Sequence, residues 1–176
     1  MGLVFLSSAQ ALAQVNISSR HAVFRGWQVS VSAPVFLGNG ASSNLGLNVS
    51  NNFPIGKIPA IRPWLPNLSL GVSGQTFAPL DFSAVFVGAN AGLGYFHRLG
   101  AGYVFDYGLR YAPLYRVGVT DGLNQGYQGV LANVGLHIPV GRNTFSTVGL
   151  QGGAYFTANG EPMWTLQPIL GLNLNF

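Results

Sequence analysis

The stretch of sequence that decides the fold is Trp164-Thr165-Leu166-Gln167-Pro168-Ile169-Leu170-Gly171-Leu172-Asn173-Leu174-Asn175-Phe176. Large apolar side chains recur in it at alternate positions, at Trp164, Leu166, Leu170, Leu172, Leu174 and Phe176. The positions between them include Gln167, Gly171, Asn173 and Asn175. A period of two is typical of a β-strand with one apolar and one polar face. The stretch therefore predicts a strand over 163–176 whose two faces meet different surroundings.

Seven earlier segments show the same alternation and are separated by Gly, Pro, Asn and Asp. They cover residues 24–36, 43–53, 67–78, 83–97, 101–116, 127–139 and 144–157. The segment 83–97 is the least regular, because Phe86 and Phe96 fall on its polar face. Strands of this kind in even number, joined mostly by short turns, predict an all-β fold: an eight-stranded antiparallel up-and-down transmembrane β-barrel.

The composition decides which face of these strands points inward. Hydrophobic residues make up 48% of the 176-residue chain and charged residues only 7%, against about 25% in an ordinary soluble domain. A soluble barrel needs charges on its outer face, whereas a membrane barrel turns its apolar face to lipid and keeps a polar interior. No apolar run reaches the roughly 18 residues of a membrane helix, so strands are expected to span the membrane.

Other classes of protein are excluded by residue counts. The chain has no cysteine, which excludes disulfide scaffolds and thiolate metal sites. Its net charge of +4 comes from eight basic and four acidic residues, too few for a nucleic-acid-binding face. We therefore expect no nucleic-acid partner.

The first residues resemble the end of a signal peptide. Residues 2–6 are apolar, and 7–13 supply small residues in an A-x-A pattern. We expect 1–13 to be a signal-peptide remnant cleaved before Gln14, and 14–176 to be a single barrel domain. No basic residue precedes Arg20, so the basic start of a signal peptide is missing, and we expect that the start is truncated or misplaced.

The connections between the predicted strands divide by charge. If both termini are periplasmic, the periplasmic connections hold Lys57, Arg62, Arg98 and Arg142, and the outward ones hold Asp81, Asp121 and Glu161. The longest connection, Pro54–Pro66, has four prolines, although periplasmic turns are normally short. It could cap the barrel, contact the membrane interface through Trp64, or indicate the inverted topology.

The last strand resembles that of small OmpA-like outer-membrane β-barrel proteins. Gly171, Leu174 and Phe176 match their G-x-x-hydrophobic-x-aromatic ending. The polar residue usual two positions before that glycine is replaced by Ile169. The resemblance implies a bacterial outer-membrane location, a lipid environment, and recognition of these three residues by the outer-membrane assembly machinery. It implies no reaction.

Three charged or titratable residues are predicted to face the barrel interior: Asp106, Arg110 and His137. A hairpin centred at 121–122 would set Asp106 directly opposite His137, within the 4.5–5.5 Å typical of cross-strand Cβ atoms. With Thr147 they have the outline of a carboxylate, base and hydroxyl relay. Buried groups of this kind more often form a structural network, and this is the role we predict for them.

We predict no catalytic residue, no cofactor and no metal site, since His21 and His97 are too scattered for metal binding. The favoured function is a structural or interaction role in the outer membrane without catalysis. Three alternatives remain: a narrow pore for ions or small polar solutes, a lipid-modifying enzyme of the outer membrane, and a soluble secreted ligand-binding barrel.

Overall fold

A computed structural model describes residues 26–37, 42–157, 160 and 162–175. It contains ten strand segments. They are β1 (Gly26–Ser32), β2 (Val35–Leu37), β3 (Ser42–Phe53), β4 (Leu68–Pro79), β5 (Ala84–Arg98), β6 (Val104–Tyr111), β7 (Leu114–Gly118), β8 (Asn124–Pro139), β9 (Thr144–Phe156) and β10 (Met163–Asn175). The predicted signal segment 1–13 and Phe176 lie outside the described residues.

The ten segments form eight barrel strands, because β1 and β2 are one strand interrupted by Pro34, and β6 and β7 are one strand interrupted by Pro113. Proline has no N–H to donate to a sheet. The neighbouring residues keep the sheet joined across each interruption: Ala112 exchanges backbone hydrogen bonds of 2.8 and 3.0 Å with Gly129, and Ala33 donates to Pro168 at 3.2 Å.

The sheet closes on itself. Every neighbouring pair is antiparallel, and the first strand pairs both with β3 and with the last strand, where Trp27 lies opposite Leu174. Closure pairs the backbone groups that an open edge would leave unbonded. The predicted eight-stranded antiparallel up-and-down barrel is therefore confirmed.

The two faces of the wall have the predicted polarity. Outward positions carry large apolar side chains that are about half exposed, for example Leu47, Val134 and Leu172. Buried polar residues face inward. These include Ser30, Asn48, Ser50, Asn52, Ser73, Gln75, Asn90, Asn133, Gln151, Gln167 and Asn173. The apolar surface is thus on the outside of the barrel, the reverse of a water-soluble protein.

The barrel has two ends that differ in their connections. At the termini end, where β1 begins and β10 ends, lie the connections 54–67, 99–103 and 140–143. At the opposite end, where β2 ends and β10 begins, lie the connections 80–83 and 119–123. Within the described part of the chain, no helix is long and apolar enough to cross a membrane.

Candidate functional site

The inward face of β6, β8 and β9 holds a buried hydrogen-bonded cluster. His137 contacts Asp106 through Nε2, 2.8 Å from Oδ1, and Thr147 through Nδ1, 2.8 Å from Oγ1. The amide of Asn133 donates to the other carboxylate oxygen of Asp106 at 2.7 Å. Both ring nitrogens of His137 therefore have a hydrogen-bonding partner in the wall, whichever tautomer the ring adopts.

The register that brings the cluster together differs from the predicted one. Asp106 lies opposite Gly135, and His137 lies opposite Val104, so the expected direct pairing of Asp106 with His137 is wrong by two residues. Both residues still point inward, and side chains at diagonal positions of a sheet remain within reach.

The turn between β7 and β8 explains the shift. It is closed by the backbone bond from Gly118 to Leu123, and its centre therefore lies before Asp121. Asp121 accepts hydrogen bonds from the Leu123 N–H at 2.9 Å and from the Arg116 guanidinium at 2.6 Å. These bonds, chiefly the one from Arg116, lower the pKa of Asp121 below its ordinary value. The alternation of apolar and polar residues contains no information about these side-chain hydrogen bonds, so it could not predict the shift in register.

Arg110 faces the same part of the interior without joining the hydrogen-bonded cluster. It lines a small cavity of about 30 Å³ together with Asp106, Asn133 and His137. No hydrogen bond connects Arg110 to Asp106 or His137 in the structure, although the opposite charges of Arg110 and Asp106 attract. The cavity has room for about two water molecules, and both polar atoms of Gln151 border it without a protein partner.

An aromatic plug fills the interior at the opposite end. Its largest members are Phe36, Phe77, Phe86 and Tyr155. The rings of Phe77 and Phe86 stack with centroids 4.9 Å apart, and Phe36 lies 5.5 Å from each of them. Gln75 donates to the Tyr155 hydroxyl at 3.2 Å and so links the plug to the polar interior.

A smaller apolar plug lies at the termini end and consists of Phe96, Val104 and Phe145. The polar interior is therefore bounded by apolar side chains at both ends of the barrel. The alternation of side chains along the strands did not predict these two plugs. The signal was present in the irregularity of the segment 83–97, because Phe86 contributes to one plug and Phe96 to the other.

The residues of the predicted assembly signal lie along the seam between the first and last strands. Gly171 is opposite Ser30, so close that an added Cβ would approach Cβ of Ser30 to 2.7 Å. Leu174 points outward beside Trp27, and both are about half exposed. The close approach of Ser30 therefore favours glycine at residue 171, independently of any recognition by another protein.

Among the described residues, no group of three or more His, Cys, Asp or Glu side chains could hold a metal ion. His97 lies on the outer wall, where its ring stacks with Tyr107 at a centroid distance of 6.0 Å. His21 lies outside the described residues.

Comparison with known proteins gives a fold but no close relative. No protein-family model and no curated protein matches the sequence. Neisserial surface protein A (NspA) is similar in structure, with a TM-score of 0.71 at 12% identity over 85% of this chain and 96% of that chain. Ail, the attachment invasion locus protein of Yersinia pestis, gives 0.55 at 9% identity over 86% and 97%.

Ail in complex with the heparin analogue sucrose octasulfate gives 0.51 at 8% identity, again over 86% of this chain and 97% of that chain. NspA and Ail are small eight-stranded outer-membrane barrels. Identities this low carry information about architecture alone. The chain has the fold of the small outer-membrane β-barrels, as the resemblance of its last strand predicts.

Proposed function

We propose that this chain is an integral protein of the bacterial outer membrane with a structural or interaction role and no catalytic activity, and that its termini end faces the periplasm. One observation carries the proposal: the wall is apolar outside and polar inside. A wall of this polarity is typical of a barrel whose apolar outer face contacts lipid. The soluble ligand-binding alternative requires the opposite arrangement of the two faces.

The two apolar plugs favour a closed barrel over the narrow-pore alternative. An eight-stranded barrel is just wide enough to be filled by side chains, and here the filling at each end is apolar. An ion would have to leave water and pass buried aromatic rings such as Phe77 and Phe96. We expect planar bilayers that contain the protein to show no current steps, with a porin as the positive control. Regular steps from folded protein would favour the pore.

The enclosure of the polar cluster favours a structural network over the lipid-modifying alternative. His137 is 3% exposed and uses both ring nitrogens in hydrogen bonds within the wall. A lipid outside the barrel cannot reach it, because the strand backbone lies between them. We expect no release of fatty acid from phospholipid vesicles by the wild type or by His137→Ala. Release by the wild type alone would restore the enzyme alternative.

We further propose that Gly171, Leu174 and Phe176 act as a signal for the outer-membrane assembly machinery, and that 1–13 is the remnant of an export signal. The outward position of Leu174 on the last strand supports the first of these. That side chain is accessible on the barrel exterior, where an assembly factor could read it.

The membrane location is tested by expressing the chain with a complete signal peptide in a Gram-negative host. The outer-membrane fraction is then run on SDS gels with and without boiling. A closed barrel resists SDS until heated, so we expect faster migration of the unboiled sample. Recovery from the periplasm without detergent, with no shift in mobility, would contradict the proposal.

A further inference from the structure

The charged side chains in and beside the connections at the termini end all have one sign. The connections contain Lys57, Arg62 and Arg142, Arg98 ends β5 next to one of them, and none of the chain's four acidic residues lies in 54–67, 99–103 or 140–143. These connections join β3 to β4, β5 to β6 and β8 to β9, so the cations are spread around the barrel rim. We refer to these four residues as the basic ring.

The longest of these connections is a folded platform. Between residues 54 and 67 the backbone makes consecutive turn hydrogen bonds, for example from Arg62 to Ile58 at 2.9 Å and from Leu65 to Ile61 at 2.9 Å. The two ends of the connection touch at Gly56, where an added Cβ would overlap the carbonyl groups of Leu65 and Pro66. The backbone that carries the charged and aromatic side chains of this connection is therefore held in a defined conformation.

This platform exposes apolar side chains next to its cations. Trp64 is 82% exposed, and Ile58 and Leu65 are also exposed. Within the described residues, neither Lys57 nor Arg62 forms an ion pair. Exposed tryptophan beside unpaired cations is the combination found where proteins meet the headgroup region of a membrane. A purely aqueous setting would leave the apolar side chains without a favourable contact.

We propose that the basic ring, with Trp64, binds the headgroups of anionic phospholipids in the leaflet next to the termini end. The phosphate groups complement the four cations, and the indole of Trp64 lies among the headgroups. A ring around the circumference suits lipids that surround the barrel, whereas a soluble partner would need a single patch. The inference rests on the proposed membrane location.

The test uses brominated lipids, which quench tryptophan fluorescence on contact. The reporter protein keeps Trp64 and carries Trp27→Phe and Trp164→Phe. A matched control keeps Trp164, at the start of β10 and so at the opposite end, and carries Phe at the other two tryptophans. Each protein is refolded into symmetric phosphatidylcholine vesicles with brominated phosphatidylglycerol or, at the same mole fraction, brominated phosphatidylcholine. Because both leaflets are alike, the orientation of the barrel does not matter.

We expect brominated phosphatidylglycerol to be enriched at Trp64 by about fivefold, the preference that one cation near an anionic surface provides. The enrichment should disappear in Lys57→Ser/Arg62→Ser and fall at high salt. Trp164 should be quenched equally by both lipids. Equal quenching at Trp64, or Trp64 emission typical of water in both vesicles, would overturn the proposal and point instead to a soluble partner.

An SDS gel of the same samples distinguishes failure of the lipid site from failure of the membrane location. Heat-modifiable mobility without lipid preference refutes the lipid site and leaves the membrane location intact. Absence of heat-modifiable, vesicle-bound protein contradicts the membrane location, and the lipid site with it.

Discussion

The carboxylate of Asp106 sits against the backbone of Gly135, and replacing that glycine tests the interior cluster. A Cβ at residue 135 would overlap Oδ1 of Asp106, the atom that binds His137. The carboxylate has little room to move, because Asn133 holds its other oxygen at 2.7 Å. We therefore expect Gly135→Ala to break the bond between Asp106 and His137.

The size of the effect follows from two opposing contributions. A hydrogen bond to a charged group contributes about 1.5–3 kcal/mol. Replacing glycine by alanine lowers the conformational entropy of the unfolded chain, which stabilises the folded protein by about 0.4–1 kcal/mol. The net result is a destabilisation of about 0.5–2.6 kcal/mol. Gly74→Ala is the matched control, since an added Cβ there meets nothing within 4 Å. This variant should be stabilised by up to about 1 kcal/mol.

The two variants are refolded in the same detergent and unfolded in urea, with tryptophan fluorescence as the signal. Their free energies of unfolding should move in opposite directions with unchanged m-values. The ¹⁵N chemical shifts of the His137 ring should change in Gly135→Ala and stay constant in Gly74→Ala. A Gly135→Ala variant as stable as the wild type with unchanged ring shifts, or an equal loss of stability in both variants, would contradict this role of the bond between Asp106 and His137.

Three further predictions concern the wall, the last residue and a turn. Val134→Arg places a charge on the outward face near the middle of β8 and should destabilise the barrel in vesicles by about 2–4 kcal/mol; Val134→Leu should not, and equal stability of the two would contradict the face assignment. Deletion of Phe176 should lower the amount of heat-modifiable protein in outer membranes, whereas refolding into vesicles should stay normal; normal levels in cells would count against the assembly signal. Because Arg116 lowers the pKa of Asp121, the stabilisation from Asp121 should be complete above the carboxyl's ordinary pKa and lost as the pH falls below it. The difference in unfolding free energy between wild type and Asp121→Asn, measured by urea titration, should therefore shrink below about pH 4. A difference that stays constant with pH would argue against the bond between Arg116 and Asp121.

Alternation of side chains predicted most of the architecture because a barrel wall separates two different surroundings along its whole length. Outward positions in β8, such as Val130 and Val134, all face the same surroundings. The sequence therefore alternates strongly between apolar and polar residues. Interruptions were harder to predict. Pro34 and Pro113 each end a segment of backbone pairing, yet neighbouring residues keep the strands together, and the alternation continues past them.

The candidate site was predictable as a set of residues and less so as a geometry. Parity along the strand was sufficient to direct Asp106 and His137 inward. Their register depended on how Asp121 braces the adjacent turn, which a pattern of hydrophobicity does not contain. The plugs were missed for a different reason: near the ends of the barrel, inward positions such as Phe77 and Phe145 are apolar, so inward no longer means polar.

The seam between the first and last strands has a consequence for how the chain folds. Trp27 pairs with Leu174, and nearly the whole described chain separates the two partners. Contacts between such distant residues are slow to form, because the entropy of a long loop is lost before the pairing is gained. The barrel therefore cannot close until β10 has left the ribosome and crossed into the periplasm. Until then, seven strands present apolar faces and an open edge to water, which makes the unfinished barrel prone to aggregation.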